Sequence, residues 1–306
     1  MARSDDVSPK RGRWALAALL VAVLAAAGAV VYRSANAANL ARGELADASG
    51  LVSQAEPAVL AIDQAVRSEV TTAATETAAQ ALEKIDAAQN TLRRAQDTVR
   101  RARTRLAERD VPLADALDES IAARLEMLER ARPILEADAR VVRALASATE
   151  AWASVVRAEK LAEDAVAAFN KHTEEGVQRS TQLTTEADSL LAEARSLLET
   201  VSAGVPEADM APFVSYVDAK RALLAESRKI DATWLSGKVA DANAMLGAYN
   251  AKEKQVAEQA KRLPGTPASV LADAYKRIVE SDVTAYFEAR ERARSADVLV
   301  KSLSGE

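Results

Sequence analysis

Few residues in this chain could do chemistry, and its single histidine is the first to weigh. His172 sits in FNKHTEEG, residues 169–176, beside Glu174 and Glu175. No second histidine and no cysteine accompanies it to complete a zinc or haem site, which argues against a transition-metal enzyme. The spacing instead puts His172 near a helix end at Gly176, where a positive charge interacts favourably with the helix dipole.

The carboxylates read the same way. Asp115, Asp118 and Glu119, and in the second half Glu207 and Asp209, fall in the opening turns of expected helices, where negative charge complements the dipole. SGKV at 236–239 lacks both the upstream glycine and the Ser or Thr of a phosphate-binding loop, and no GxSxG nucleophile turn occurs. No catalytic, cofactor-binding or metal-binding residue is assigned, no cofactor is expected, and the chain reads as a non-enzyme.

One constellation carries a sharper hypothesis. RRAQDTVRRARTRLAER, 93–109, holds seven arginines against Asp97 and Glu108. Arg93 and Arg100 share one heptad position and Arg94 and Arg101 the next, so the four form a basic stripe on one helix face. That stripe is either a solvated surface or a site for an anionic lipid, wall polymer or acidic protein. Nucleic acid is not expected, because the net charge is −5 and no aromatics interleave the arginines.

Two short signals are weaker. LPGTP at 263–267 resembles the sortase signal LPxTG, with proline in place of the last glycine and no apolar tail behind it. WLSG at 234–237 resembles the Trp-x-Gly turn of small secreted helical hairpins with one residue too many. Trp152 and Trp234 read more simply as large core residues where helices cross.

These residues must be positioned by helices. The chain has 70 alanines but only 10 glycines, 8 prolines and 11 aromatics among 306 residues, a composition that favours long helices over sheet. Arginine outnumbers lysine 28 to 12, which with the alanine content points to a GC-rich bacterial genome. Trp14 to Val31 is an unbroken apolar run of 18 residues counting Gly28, near the roughly 20 that span a bilayer. Arg3, Lys10, Arg11 and Arg13 precede it, so the positive-inside rule keeps the N-terminus cytoplasmic and exports the rest. Ala35, Asn36 and Ala37 offer a signal-peptidase motif, but the run's length and Arg33 favour a retained anchor over cleavage after 37.

Beyond the anchor, Ala78, Ala81, Ile85, Ala88, Leu92, Ala95, Val99, Ala102 and Leu106 alternate at three and four residues, the spacing of a coiled-coil seam. TTAATET, 71–77, offers a break before it. Leu183, Ala187, Leu190, Ala194, Leu197 and Val201 repeat the pattern. ERDVPLAD and SAGVPEAD align at an offset of 94 residues, a weak internal repeat. A long helix is expected after each: Leu113 to about Lys171, kinked at Pro133, and Pro212 to about Leu263. The second carries Leu235, Val239, Ala242, Leu246, Tyr249, Val256, Ala260 and Leu263 on one seam, with Glu253 as its single polar member. Thr266 and Pro267 then open a last helix with an apolar stripe from Leu271 to Leu303.

The fold class expected is all-α: an N-terminal transmembrane helix followed by an elongated antiparallel helical bundle or coiled coil, with the repeat suggesting two tandem helical hairpins. The expected divisions are a cytoplasmic basic tail 1–12, a signal-anchor 13–33, a juxtamembrane linker 34–56, hairpin regions 57–176 and 177–264, and a C-terminal helix 265–306. The function expected is a non-enzymatic, membrane-anchored extracytoplasmic scaffold or protein-interaction module of a bacterial envelope. Its partners would be the cytoplasmic membrane through one helix, and a protein or a second copy through the seams. The alternative is an extracytoplasmic helical-bundle sensor or ligand-binding domain working through a partner protein, its pocket lined by residues such as Trp152, Trp234, Tyr249, Tyr275 and Tyr286. The architecture also resembles the bacterial septation-ring regulators, whose spectrin-like rod is cytoplasmic, an orientation that the flanking charges oppose.

Overall fold

The structure, a computed structural model, describes the backbone of residues 10–68 and 72–305 and the side chains of 36–68 and 76–305. Among the described residues there are seven α-helices and one 3-10 turn, with no strand. They are α1 (Lys10–Arg67), α2 (Thr72–Arg103), the 3-10 turn Glu108–Asp110, α3 (Val111–Phe169), α4 (Glu174–Gly204), α5 (Ala211–Leu235), α6 (Val239–Ala260) and α7 (Pro267–Ser304). The chain is all-helical and bundled, as its composition requires. Among the described residues no helix is long and apolar enough to cross a membrane. The expected anchor, Trp14 to Val31, and its basic flank lie outside the residues whose side chains are described.

Helix ends follow local chemistry. Thr173 caps α4 by accepting the Gly176 N–H at 3.1 Å, and Glu174 and Glu175 put negative charge in the first turn. At the start of α7 the caps are reciprocal. Ser269 N–H donates to Thr266 Oγ1 at 3.2 Å, and Thr266 N–H donates to Ser269 Oγ at 3.0 Å, a capping box with serine in the usual Glu or Gln place. LPGTP is therefore a turn and cap, with Gly265 at φ +91°. Pro57 and Pro133 lie inside α1 and α3 without ending them.

Two features differ from expectation. The helix expected from Pro212 to Leu263 is broken: α5 stops at Leu235, Gly237 takes φ +82°, and α6 restarts at Val239 and packs back on α5. Leu235 and Val239, which continue the apolar register, are exposed at the turn instead. The WLSG segment is thus a helix–helix turn. Gly176 is not a helix end either, for α3 ends at Phe169 and Gly176 lies in the first turn of α4. The two Val-Pro segments also fold differently. Val111-Pro112 opens α3, whereas Val205-Pro206 belongs to the loop between α4 and α5.

The chain divides into two compact units. The first comprises Met1–Gln64, Glu83–Arg130 and Ala285–Glu306. Its core holds the α2 seam: Ile85, Ala88, Leu92, Ala95, Val99 and Ala102 are all buried, so the three-four alternation marks the inward face. Small residues there let helix axes approach closely. Polar cross-links fix the register. Arg124 on α3, itself buried, reaches Glu56 on α1 at 3.1 Å and Asp297 on α7 at 2.8 Å, and its Nη1 donates to Ser120 Oγ at 2.6 Å. Asp63 on α1 accepts from Tyr286 Oη at 2.9 Å and from Arg290 Nε at 2.8 Å, both on α7.

The second unit comprises Ala65–Leu82 and Ala131–Thr284. An extended apolar cluster in it joins α3, α4, α5, α6 and α7, with Phe213 fully buried edge-on to Trp152 at 5.9 Å. Over the span of the expected seam on α4, Leu183, Ala187, Leu191, Ala194, Leu198 and Val201 are buried, while the expected members Leu190 and Leu197 are half-buried. The apolar stripe is broader than a two-position seam because α4 meets more than one neighbour. Here too carboxylates clasp helices together: Glu159 accepts from Tyr216, Asp138 from Tyr275, and Asp188 pairs with Arg221 at 2.8 Å and Arg228 at 3.1 Å.

Candidate functional site

The basic stripe is where the helical spacing put it. Arg93, Arg94, Arg100 and Arg101 are all exposed on α2. Arg93 and Arg94 have no ion-pair partner among the described residues, Arg100 Nε lies 3.8 Å from Asp118, and Arg101 Nη2 donates to Thr98 Oγ1 at 3.0 Å. The other arginines of the run are committed inside the first unit. Arg103 binds Asp115 at 2.6 Å, Arg109 lies 3.8 Å from Asp110, and Arg105 pairs with Glu44, whose carboxyl that hydrogen bond holds below its usual range. What remains outward is therefore concentrated in Arg93, Arg94 and Arg101. Arg100 and Arg101 also stand in the last turn of α2, where cations suit the dipole.

The expected acidic residues have structural partners. Asp115 and Asp118 face Arg103 and Arg100, and Glu119 lies 3.5 Å from Arg292. Glu207 and Asp209 precede α5 in the loop, and Asp209 Oδ1 accepts the Ala211 N–H at 3.1 Å. Among the described residues no group of three or more His, Cys, Asp and Glu is placed to hold a metal ion.

The five aromatics named for a pocket are not brought together. Trp152 packs on Phe213, and Trp234 packs against the small cluster of Phe169, Val177, Ile230 and Ala242. Tyr275 and Tyr286 spend their hydroxyls on Asp138 and Asp63. Burial and the Asp138 charge push the Tyr275 phenol up, and Tyr216 is raised likewise by burial and Glu159.

Of the five, Tyr249 lines a cleft with His172, weighed above as a helix-end charge, and with Leu246 and Glu253, placed above in a seam; Asp231 and the other companions are ones that sequence reasoning missed. The cleft lies in the second unit, where the end of α3, the second turn of α4, the last turns of α5 and the middle of α6 meet, and its volume is about 270 Å³. Phe169, Ser180, Ile230 and Asp231 are its buried residues, Ser227, Leu246 and Tyr249 are half-buried, and Val166, Asn170, His172, Asn250 and Glu253 are exposed at the rim.

Asp231 is 1 % exposed. Thr181 Oγ1 donates to its Oδ2 at 3.1 Å, and the Ser180 hydroxyl also favours its ionised form. Desolvation nonetheless wins over both and raises the carboxyl above its usual range. Burial, with the charges of Glu253 and Asp231, pushes the Tyr249 phenol up to about 12. His172 reaches the rim because it takes the left-handed conformation, φ +52°, just past the end of α3, with its ring edge-on to Phe169 at 6.1 Å. A buried carboxyl with a raised proton affinity in a cleft is a recognised mark of a functional site.

Comparison with known proteins adds no assignment. No protein-family model, curated protein or solved structure matches the chain. The cleft and the basic face must therefore be read from their own chemistry.

Proposed function

We propose that this chain is a non-enzymatic, membrane-anchored helical scaffold or protein-interaction module held outside the cytoplasmic membrane of a bacterial cell. The observation that carries this reading is the order of segments. A basic flank precedes 18 apolar residues, about 27 Å of helix against a hydrocarbon core of roughly 30 Å, and α1 continues from that run to Arg67. The apolar run serves as the anchor, and the units that follow present exposed surface to partners. Arg93, Arg94 and Arg101 give that surface a local positive face suited to anionic lipid or wall polymer.

Topology decides this reading first. Reporter fusions at Asn39 and Glu306 should both report an extracytoplasmic position. A cytoplasmic C-terminus refutes it and favours the rod of the septation-ring type. The mass of the mature chain separates a retained anchor from a secreted product beginning at Ala38. For the basic face, replacing Arg93, Arg94, Arg100 and Arg101 with glutamine should lower retention on anionic liposomes or isolated walls, and unchanged retention removes that role.

A second reading, an extracytoplasmic ligand-binding bundle acting through a partner protein, is favoured by the cleft around Asp231. Nothing in the first reading calls for a buried carboxylate beside an open cavity.

A further inference from the structure

Several half-buried carboxylates of the second unit are matched by cations, whereas its two buried ones among the described residues, Asp138 and Asp231, are held by hydroxyls. Asp188 has Arg221 and Arg228, Glu159 has Lys220, and Glu226 has Lys229 and Lys252. Asp231 is more deeply buried than Asp138, takes its hydrogen bond from the Thr181 hydroxyl, and lines the cleft. The basic residues before it on α5 are committed elsewhere, Arg228 to Asp188 and Lys229 to Glu226. Hydroxyl donors satisfy lone pairs but leave the charge uncompensated.

The cleft that Asp231 lines has the complementary features. Glu253 at the rim is a second carboxylate with no ion pair among the described residues. No lysine or arginine lines the cavity. Phe169 and Tyr249 contribute aromatic rings, which attract cations through their quadrupoles. Ile230 and Leu246 supply apolar surface for a short hydrocarbon group. The volume of about 270 Å³ lies just under the range of ~300–1,000 Å³ typical of drug-sized ligands, so the occupant is small.

We infer that this cleft binds a small organic amine, with a primary ammonium against Asp231 and its apolar substituent against Phe169, Ile230 and Leu246. The ammonium supplies the charge that Asp231 lacks, and its three donors suit a cleft lined by the Asp231 carboxylate and by Ser180, Ser227 and Tyr249. An anion would be repelled by both carboxylates. Among the described residues no group of three or more His, Cys, Asp and Glu is placed to hold a metal ion there instead. The inference concerns the cleft alone and holds on either side of a membrane, so the reporter fusions and the binding test fail independently.

The test is calorimetric titration of the full chain in detergent with benzylammonium, and with benzyl alcohol as its neutral counterpart of nearly the same shape. Saturable one-to-one binding is expected for the cation, with the alcohol at least about tenfold weaker because it leaves the buried carboxylate unneutralised. Asp231→Asn should weaken the cation by a similar factor and leave the alcohol unchanged. Equal binding of the two probes, no saturable binding of the cation, or cation affinity retained in Asp231→Asn overturns the inference. Should Asp231→Asn fail to fold, Glu253→Gln decides, because that exposed residue is not part of the core. A several-fold weaker cation affinity in that variant supports the site, and an unchanged one overturns it.

Discussion

Gly176 and Gly247 both lie inside helices of the second unit, yet the same substitution should move stability in opposite directions. In a helix interior Gly→Ala ordinarily stabilises by about 0.5–1 kcal/mol, because glycine loses more backbone freedom on folding. Gly247, in α6, meets that condition: a Cβ there has nothing within 4 Å. Gly176 does not. A Cβ at Gly176 would fall 2.6 Å from the Ala168 carbonyl oxygen, 3.0 Å from Thr173 Oγ1 and 3.2 Å from Lys171 Cβ. That oxygen is backbone and already accepts the Lys171 N–H at 3.2 Å in the turn ending α3, so it cannot retreat as a flexible side chain would. Thr173 is equally committed, as the cap of α4. Overpacking of this kind costs about 1–3 kcal/mol, against a propensity gain of at most about 1 kcal/mol. Gly176→Ala should therefore destabilise by about 1–2 kcal/mol while Gly247→Ala stabilises by about 0.5–1 kcal/mol. Urea unfolding of the full chain, followed by far-UV circular dichroism, reads both as shifts of the midpoint at constant slope. A Gly176→Ala midpoint raised as far as that of Gly247→Ala would refute the close approach of α3 and α4.

Tyr275→Phe should destabilise by about 1–3 kcal/mol, because Asp138 is buried and loses its one hydroxyl donor among the described residues. Adding Asp138→Leu should recover part of that loss in the same unfolding assay, and no recovery would argue against the clasp. Arg124→Ala should cost about 2–3 kcal/mol, less than the 3–5 of a fully buried pair because Glu56 and Asp297 keep 36 % and 38 % exposure. Two opposite pH effects are expected from the carboxylates. Burial raises Asp231 and Asp138, so the native state holds their protons more tightly than the unfolded chain, and their unfavourable contribution fades as pH falls through their raised values. Asp297 is held low by Arg124 and Ser120, so its stabilisation is present above the unfolded value and lost as pH falls through its folded one. Thermal melts of Asp231→Asn should accordingly show the variant's advantage over the parent largest at neutral pH and shrinking on acidification; an advantage that grows on acidification contradicts the raised carboxyl.

The candidate site was only partly legible beforehand. Arg93, Arg94, Arg100 and Arg101 could be placed on one exposed face because helical periodicity is a local property. Tyr249 was named, but for a pocket whose other members, Trp152, Trp234, Tyr275 and Tyr286, serve as core or clasp residues. Asp231 carried no signal, since an aspartate in SRKIDATWL reads as a solvated position and becomes unusual only when α4 and α6 cover it. The turn at Gly237 was hidden for a related reason. Leu235, Val239 and Ala242 keep helical spacing straight through it, so the apolar register gave no sign that the chain reverses. The signal available was WLSG itself, with the glycine free to take positive φ.

By itself the sequence determined that this chain is helical and which face of α2 turns inward. Alanine abundance, sparse glycine and proline, and three-four apolar spacing act within a few residues of one another, where covalent geometry fixes the outcome. Only the tertiary structure decided which charges meet. Tyr286 and Asp63 lie 223 residues apart in sequence and Arg124 and Asp297 lie 173 apart, separations at which no local spacing can encode a partner. Those pairings, and the cleft left where α3, α4, α5 and α6 converge, follow from the register at which alanine-lined helices pack.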